Sequence, residues 1–454
     1  MPYISLNPAT SKTLRTYDSW DGHRLATALE QAGEAQRAWA QTAFSQRAEY
    51  MHRAAHLLHE RVHEYAALIA VEMGKPVREG RAEVEKCALV CDYYAVHAEH
   101  FLQSEMVQTS AGKSYVCYEP IGIVLGVMPW NFPFFQVIRF GAPTLMAGNA
   151  CVLKHASNVP QCALALQQLF ADAGFPPSLF TTLMIEAADV AEAIACHHVQ
   201  AVTLTGSERA GREIASHAGR HLKKCMLELG GSDAFIVLRD ADLELAADLA
   251  VRSRFQNCGQ SCIAAKRIIP VAEIADEFVP LFINKTRELQ MGDPINEVTQ
   301  IGPMARLDLR ENLHQQVMDS IRQGAQPVLG CEPGGGDGAF YPPSILDRVT
   351  VQTRAYHEEL FGPVAAIIRA ENEEDAIRIA NDTRFGLGSS IWSRDVGHAE
   401  ILARRIQAGC SFINGMVRSD PRLPFGGVKA SGFGRELSYH GIREFVNIKT
   451  VWIR

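Results

Sequence analysis

The stretch FQNCGQSC, residues 255 to 262, places Cys258 and Cys262 four positions apart around a Gly-Gln-Ser segment that can turn tightly. A free thiol has a pKa of about 8.5, so only a few per cent of it is thiolate at neutral pH. A nucleophilic cysteine therefore needs a loop, nearby hydrogen-bond donors and a proton acceptor. Cys262 follows the turn and precedes an apolar run, which favours it, although spacing alone leaves both cysteines open.

Three other motifs place polar residues where apolar runs end. In PWNFPFF two prolines fix a turn, and Asn131 could donate its amide to an oxyanion, whereas the aromatics either wall a pocket or pack in a core. In CMLELGGS, Glu228 is either a functional carboxylate at a strand end or a glutamate that faces water. LTGSERAG opens a helical segment that suits a phosphate, but an ordinary β-turn-α junction is the more common case.

These motifs lie in a chain where short apolar runs alternate with helical segments. The first 100 residues show helical periodicity, and KSYVCYEPIGIVLGV after them is strand-like. The runs ACVLK, TTLMI, AVTLT, KKCMLEL and AFIVL follow, each before a helical segment, and a second series contains AAKRIIPV, GPVAAIIRA, GSSIWS and CSFING. This alternation predicts βαβ units, and therefore an α/β fold with mainly parallel sheets.

Length, charge and cysteine usage narrow the class of protein. A chain of 454 residues with 47% hydrophobic residues is expected to fold into two or three soluble domains. A net charge of −7 argues against nucleic-acid and membrane partners, and no signal peptide or membrane span is expected. The 11 cysteines lack a C-x-x-C pair, which favours reduced thiols in the cytoplasm.

Four histidines follow helical spacing and share one face, namely His52, His56, His59 and His63. Metal ligands are sometimes spaced this way, but zinc sites usually draw ligands from several elements and include cysteine or carboxylate partners. An apolar stripe elsewhere on the same helix is the expected core side. We therefore expect a solvated histidine face and no metal.

The order and spacing of PWNFP, VLK, LTGS, ELGG, NCGQSC, EELFGPV and PFGGVKASGFGRE resemble those of the aldehyde dehydrogenase superfamily over essentially the whole chain. The resemblance implies NAD(P)-dependent oxidation of an aldehyde to a carboxylic acid through a cysteine thiohemiacetal and a thioester. It matches Cys262 to the catalytic nucleophile and Glu228 to the general base. It matches Asn131, with the backbone N–H of Cys262, to the oxyanion hole, and Cys258 to a position that varies.

The same resemblance implies a binding site for NADP or NAD. Its residues are Trp130, Lys154, Ser157, Gly206, Ser207, Gly230, Glu359 and Phe361. Many family members carry Lys-Pro-Ser/Ala-Glu at the adenosine ribose, where this chain has KHAS with Ser157 in the place of the glutamate. Loss of that carboxylate removes repulsion against a 2′-phosphate, and Lys154 could pair with one, so we expect NADP to be accepted without excluding NAD.

The segments KHASN, ELGGSDAF and CIAAKR are most similar to short bacterial succinate-semialdehyde dehydrogenases, whose substrate carries a carboxylate. The substrate-binding positions that this implies are Arg139, Gln256, Arg418 and Ser419. Gln256 stands where better-known members have a second arginine, so it offers a hydrogen bond without a charge. Arg254 either substitutes for that arginine or points outward.

Three alternatives stay open at this point. The chain could oxidise other short-chain or uncharged aldehydes instead. A coenzyme A-acylating relative would share the thioester, but such enzymes generally lack the hydrolytic glutamate, which is present here as Glu228. A non-catalytic binding or structural descendant would be expected to have lost Cys262, Glu228 or Asn131, and all three are present.

The resemblance also implies the architecture. It gives a Rossmann-like cofactor domain over residues 1–101 and 121–231, an α/β catalytic domain over 232–430, and a small β oligomerisation flap over 102–120 and 431–454. A partner chain usually covers exposed strand edges of this kind, so a homodimer or homotetramer is expected. The other expected partner is a small, anionic aldehyde.

Overall fold

The computed structural model of the chain describes residues 3–454. The helices are α1 (Gly22–Trp39), α2 (Phe44–Glu60), α3 (Val62–Met73), α4 (Val77–Phe101), α5 (Phe135–Met146), α6 (Pro160–Asp172), α7 (Val190–Ala195), α8 (Glu208–Arg220), α9 (Leu243–Phe255), α10 (Ala272–Arg287), α11 (Leu307–Arg322), α12 (Arg354–His357), α13 (Glu373–Asn381), α14 (Val396–Ala403) and α15 (Ser438–Arg443). The strands are β1 (Tyr3–Asn7), β2 (Lys12–Tyr17), β3 (Glu105–Met106), β4 (Lys113–Pro120), β5 (Ile123–Met128), β6 (Ala150–His155), β7 (Phe180–Thr182), β8 (Val199–Thr205), β9 (Lys224–Glu228), β10 (Ala234–Val237), β11 (Arg267–Pro270), β12 (Gln326–Leu329), β13 (Ser344–Asp347), β14 (Val364–Ile367), β15 (Gly388–Trp392), β16 (Cys410–Ile413), β17 (Gly432–Phe433) and β18 (Val446–Ile453).

A six-stranded sheet has the order β17-β9-β8-β5-β6-β7. Its strands run parallel except for β17, which pairs with β9 in the antiparallel sense. All six residues of β6 and five of the six in β5 are buried, as expected for parallel strands with helices on both faces. This sheet therefore forms the centre of one hydrophobic core.

A seven-stranded sheet has the order β12-β13-β14-β11-β10-β15-β16 and is parallel except for β12. It lies at the centre of a second hydrophobic core, built from residues 234 to 402. The two sheets confirm the predicted α/β class and its mainly parallel strands. The sequence patterns did not predict β12 and β13, which are short and flank a glycine-rich loop.

A third sheet of order β18-β4-β3 is antiparallel, and β4 and β18 pair along their whole lengths. It leaves Ile448 62% exposed and Trp452 53% exposed. Residues 432–433 and 438–443 lie outside this sheet, because β17 joins the six-stranded sheet and α15 packs beside α4 and α5. The domain limits drawn from the sequence stay a prediction.

The start of the chain differs from the prediction that the first 100 residues are helical. Strands β1 and β2 form an antiparallel hairpin, and the helices begin only with α1. The hairpin buries Tyr3 and Ser5, and Ser5 donates a hydrogen bond to Glu72 of α3 at 2.7 Å. Tertiary contacts of this kind are invisible to helical periodicity. Within the described residues, no helix is long and apolar enough to cross a membrane.

The carboxyl ends of neighbouring parallel strands bring the sequence motifs together. Met128 at the end of β5 lies opposite His155 at the end of β6, and Thr205 at the end of β8 lies opposite Glu228 at the end of β9. The segments PWNFP, AS, GS and LGG follow these strands directly. Open α/β sheets bind ligands at this edge, so the topology places the motifs where a site is expected.

Candidate active site

The loop before Cys262 has an unusual backbone. Asn257, Cys258 and Gly259 are consecutive residues in the left-handed region, with φ of 52°, 55° and 68°. Non-glycine residues are strained there and need support from their surroundings. The support is visible at Asn257, whose backbone N–H donates to Glu79 at 2.6 Å and whose side chain donates to the carbonyl of Asn131 at 2.7 Å. The loop is therefore held in one shape.

The two cysteines of FQNCGQSC lie in different environments. Cys258 is 1% exposed, and burial raises the pKa of its thiol. Cys262 is half-buried and lines a cavity, and burial raises the pKa of its thiol to about 12, opposed by the charges of Lys266 and Arg139. Both thiols are free. Only Cys262 is therefore open to a ligand in the cavity.

Lys266 ties the cysteine loop to the predicted cofactor side and was missed by the sequence analysis. Its ammonium donates to the backbone carbonyls of Ser261 at 2.7 Å and Cys262 at 2.8 Å. It also forms an ion pair with Glu359 at 3.0 Å. Lys266 ends the apolar run of CIAAKR, and a lysine there is the one signal that could have singled it out.

Asn131 lies against the same loop. Its amide nitrogen donates to the carbonyl of Gln260 at 3.1 Å, and the residue is 4% exposed. Gln260 is itself fixed, because its side-chain oxygen accepts from the backbone N–H of Ala305 at 2.9 Å. An asparagine amide carries two N–H groups, so one stays available to a ligand. The structure thus brings Asn131 to the loop that ends in Cys262.

Glu228 is a buried carboxylate, 2% exposed. No side chain of residues 3–454 donates a hydrogen bond to either of its carboxylate oxygens. Burial raises the pKa of its carboxyl, Arg139 opposes the rise, and Glu436 adds to it. Because the charge of Glu228 also acts on the thiol of Cys262, the two groups lie in one site. A carboxyl in this state suits a base that takes a proton near neutral pH.

Arg139 is already engaged by the protein. Its guanidinium forms a buried ion pair with Glu436, each side chain being 3% exposed, and donates to Thr205 at 3.3 Å. Glu436 was not among the predicted site residues, although it belongs to the quoted motif PFGGVKASGFGRE. The positive charge of Arg139 is therefore matched inside the fold.

One cavity of about 530 Å³ brings the predicted substrate residues together with Cys262. Its lining includes all four of them, namely Arg139, Gln256, Arg418 and Ser419. Arg254 is fully buried away from this cavity and donates to the backbone carbonyls of Val364 and Leu360, each at 2.8 Å. It neither substitutes for a substrate arginine nor points outward.

The cavity is rich in positive charge. Its basic lining residues are Arg78, Lys86, Arg139, Arg252 and Arg418. Two carboxylates, Glu79 and Glu83, also line it. Glu79 accepts from the backbone N–H of Asn257, and Glu83 forms an ion pair with Lys75 and accepts from the backbone N–H groups of Phe134 and Phe135. Phenylalanines such as Phe132 and Phe425 complete the wall. Cations beside apolar walls suit a small, anionic ligand.

At the end of β6, Lys154 is buried and ready for a ligand. Its ammonium donates to the carbonyl of His155 at 2.9 Å, and burial lowers its pKa to about 8. Ser157, three residues on, is exposed. Among residues 3–454, no acidic side chain lies within ion-pair distance of Lys154, and its ammonium has one backbone hydrogen bond. Such a buried lysine fits a phosphorylated ribose.

His155 fixes the turn that carries Trp130 and Asn131. Burial lowers the pKa of its imidazole to about 4, so the ring is neutral at pH 7. Nδ1 accepts from the backbone N–H of Ala156 at 2.9 Å, which leaves the Nε2–H to donate to the carbonyl of Pro133 at 2.9 Å. The histidine that replaces the usual proline therefore joins β6 to the PWNFP turn.

The predicted phosphate turn lies at the start of α8. Ser207 caps this helix, and its hydroxyl accepts from the backbone N–H of Ala210 at 3.3 Å. The backbone N–H of Gly206 donates to the carbonyl of Glu228 at 2.9 Å. A capped helix end at the edge of a parallel sheet suits a pyrophosphate.

The remaining predicted cofactor residues lie near Lys266 and its partner Glu359. Glu359 accepts from the backbone N–H of Gly231 at 3.1 Å, and a Cβ on Gly230 would lie 2.3 Å from a carboxylate oxygen of Glu359. The rings of Trp130 and Phe361 meet edge to face, 5.8 Å apart. A side chain at position 230 would therefore displace the carboxylate of Glu359, and the set fits a dinucleotide that reaches towards Cys262.

The four histidines that share one face of α2 and α3 are exposed, namely His52, His56, His59 and His63. His52 pairs with Asp92 at 2.8 Å, and His56 pairs with Glu60 at 3.1 Å. In the part of the chain that the structure describes, no group of three or more His, Cys, Asp or Glu side chains could hold a metal ion. The pairing of these histidines with carboxylates agrees with a solvated face.

The sequence matches known proteins along its length. A family model for the aldehyde dehydrogenase family matches residues 2–451. The chain is 49% identical over 453 residues to a protein of Synechocystis sp. named "Probable succinate-semialdehyde dehydrogenase" with NADP(+), covering 100% of both chains. It is 46% identical to a succinate semialdehyde dehydrogenase of the NAD(P)+ type from Escherichia coli K12, covering 99% of this chain and 97% of the relative.

Solved structures agree with these matches. The crystal structure of succinic semialdehyde dehydrogenase from Streptococcus pyogenes, in complex with NADP+, superposes with a TM-score of 0.98 at 38% identity and covers 99% of both chains. The predicted fold and resemblance are thereby confirmed. The chain belongs to the aldehyde dehydrogenase family.

Proposed function

We propose that the protein oxidises succinate semialdehyde to succinate with NADP, and that it accepts NAD as well. The observation that carries this proposal is the cavity, in which the reachable thiol of Cys262 shares a wall with five basic side chains. Relatives named as succinate-semialdehyde dehydrogenases support it. Within the family, the charge of the cavity is what favours an anionic aldehyde over an uncharged one.

The chain's own groups account for the oxidation. Cys262 loses its proton and its sulfur bonds to the aldehyde carbon, which gives a thiohemiacetal. The free N–H of Asn131 and the backbone N–H of Cys262 stabilise the negative charge on the former carbonyl oxygen. When bound, the nicotinamide accepts the hydride that leaves this carbon. The carbonyl re-forms as a thioester of Cys262.

Glu228 completes the cycle. As a carboxylate it takes a proton from water, whose oxygen adds to the thioester carbon while the C–S bond breaks, so that the acid leaves and the thiol is restored. Burial raises the pKa of Glu228, which makes it a stronger base than an exposed glutamate. Its presence favours hydrolysis over transfer of the acyl group to coenzyme A.

Nicotinamide reduction with succinate semialdehyde and with butanal, each with NADP and NAD, tests this proposal. Because butanal has the same chain length without the charge, we expect kcat/KM to favour succinate semialdehyde by about 100-fold. Equal rates would contradict the semialdehyde assignment and point to uncharged short-chain aldehydes. No oxidation of any aldehyde would favour a non-catalytic binding protein.

Ser157→Glu is expected to lower kcat/KM for NADP by about tenfold or more, because a carboxylate there would repel the 2′-phosphate. The value for NAD should stay within about threefold of the unchanged protein. Ser157→Gln is the matched control, since it adds the same bulk without the charge. A protein that uses NAD well and NADP not at all before any substitution would contradict the cofactor proposal.

We further propose a homodimer or homotetramer assembled through the sheet of β3, β4 and β18. This sheet exposes Ile448 and Trp452 beside an open strand edge, which a partner chain would cover. Light scattering at micromolar concentration measures the assembly, and a monodisperse monomer would contradict it.

Cytoplasmic location belongs to the same proposal. All 11 cysteines are free, including Cys87 and Cys91, which are one helical turn apart in α4. Reduced thiols of this number suit a reducing compartment. Thiol titration of freshly isolated, denatured protein should find no disulfide.

A further inference from the structure

We propose that Lys86 binds the carboxylate of the aldehyde substrate and sets the preference for a charged aldehyde. The inference rests on the proposed function, since it concerns how that same cavity recognises its substrate. It assigns the main charged contact to a helix residue of α4 rather than to Arg139. It also explains how the cavity can lack an arginine at position 256 and still recognise an acid.

The position of Lys86 is the first observation. Its ammonium donates to the hydroxyl of Ser419 at 2.6 Å and lies 4.3 Å from the ring centroid of Phe135. All three residues line the cavity that contains Cys262. A hydroxyl and an ammonium side by side form a donor pair that fits the two oxygens of one carboxylate.

Arg139 and Lys86 differ in whether an acidic side chain matches their charge. Arg139 is neutralised by Glu436, and Glu228 lies close to that pair, so a substrate carboxylate beside Arg139 would also meet two acidic groups. Lys86 forms no ion pair within residues 3–454. The carboxylates whose charges reach it are committed elsewhere, Glu83 to Lys75 and Asp420 to Arg422. Unlike the charge of Arg139, the positive charge of Lys86 is therefore not matched by an ion pair within residues 3–454.

Among the described residues, Lys86 also differs from the other unpaired cations of the cavity in its exposure to solvent. Arg78, Arg252 and Arg418 are exposed, whereas Lys86 is half-buried. Salt and solvent screen exposed charges, so those arginines attract anions without holding one in place. A half-buried ammonium gains more from a bound carboxylate, because less water competes for it.

The ionisation of Lys86 agrees with this role. Burial, together with the nearby charge of Arg139, lowers the pKa of its ammonium to about 8. The groups that face it are Arg139 of α5, Glu83 and Cys87 of α4, and Ser419 and Asp420 of the loop after β16. A bound carboxylate would supply the missing counter-ion and restore the ordinary pKa.

The test compares Lys86→Met with the unchanged protein. Loss of the charge-assisted hydrogen bond is expected to lower kcat/KM for succinate semialdehyde by about 10- to 100-fold. The value for butanal should change much less, so the ratio of the two values collapses. Lys429→Met is the matched control, because the ammonium of this lysine donates to the backbone carbonyls of Asn381 and Thr383 and the residue does not line the cavity. It should leave the ratio unchanged.

A second readout depends on pH and does not require Lys86→Met to fold. In the unchanged protein, the ratio of kcat/KM for succinate semialdehyde to that for butanal should fall as the pH rises through about 8, because Lys86 becomes neutral. Ionisation of Cys262 and Glu228 cancels in this ratio, since both substrates need both groups. In Lys86→Arg the guanidinium stays charged, so the ratio should stay flat over the same range.

Two outcomes would overturn the inference while leaving the proposed function intact. One is a native preference for succinate semialdehyde that Lys86→Met does not reduce, and the other is an equal pH dependence in the native protein and in Lys86→Arg. Absence of any native preference for the charged aldehyde would instead overturn the proposed function. The unchanged protein is therefore measured first, and the two failures are distinguished by it.

Discussion

Cys262→Ala is expected to lower the rate of aldehyde oxidation by at least about 1000-fold, because removal of a catalytic nucleophile leaves only binding and electrostatic effects. The structure supplies the reason for choosing this cysteine. Cys262 lines the cavity, whereas Cys258 is 1% exposed within the left-handed turn. The rate of NADPH formation at saturating substrate measures the effect.

Cys258→Ala is the matched control, since it removes a thiol four positions away from the same loop. We expect it to keep at least about a third of the activity, because its side chain packs in a core and does not reach the cavity. Both variants should still bind NADPH, as followed by the fluorescence of its reduced nicotinamide. An active Cys262→Ala protein, or an inactive Cys258→Ala protein that folds, would contradict the assignment.

The contrast between these cysteines shows how much of the site could be predicted from the sequence. Spacing around Gly-Gln-Ser favoured Cys262 only weakly, and the ordered motifs of the family resemblance were needed to assign a role. Short apolar runs predicted the strands of both large sheets apart from β12, β13 and β17, because a buried parallel strand is largely apolar on both faces. Helical periodicity was wrong for the β1–β2 hairpin, which is held by contacts such as that between Ser5 and Glu72.

Side-chain partnerships were the least predictable part of the site. Arg139 pairs with Glu436 nearly 300 positions later, and Lys86 meets Ser419 from another part of the chain. Nothing local in the sequence distinguishes an arginine that is already paired from one that is free, or shows that Arg254 is used by backbone carbonyls. Folding brings these groups together, so their charges can be balanced only once the tertiary structure is known.

Glu228→Gln should separate the two halves of the reaction. Oxidation and acylation need Cys262 and Asn131, whereas hydrolysis of the thioester needs a base for water. We therefore expect a burst of about one NADPH per active site, followed by a steady rate lowered by about 100- to 1000-fold. Rapid-mixing absorbance of NADPH measures both phases. A steady rate equal to that of the unchanged protein would contradict the role of Glu228.

The Glu228→Gln protein should accumulate the thioester after the burst, and this acylated protein can be detected directly. Intact-protein mass spectrometry of Glu228→Gln after the burst should find one acyl group, located on Cys262, and Cys262→Ala combined with Glu228→Gln should carry none. Once the aldehyde, which would form an oxime with it, has been removed, hydroxylamine should release the acyl group as a hydroxamate and restore the free thiol, because it attacks a thioester without a general base. A slow steady rate without any acyl adduct would mean that Glu228 acts before the thioester forms, for example by taking the proton of Cys262.

The same substitution should change stability in a defined direction. Burial raises the pKa of the Glu228 carboxyl in the folded state above its value in the unfolded chain. Between these two pKa values the folded state binds more protons than the unfolded chain, so the native protein loses stability as the pH rises. Glu228→Gln removes this loss, so its melting temperature should exceed the native value at pH 8 and approach it near pH 4.5. If the difference has the opposite sign, the site supplies a partner that keeps the carboxylate charged, and Glu228 would then be a weaker base than its burial implies.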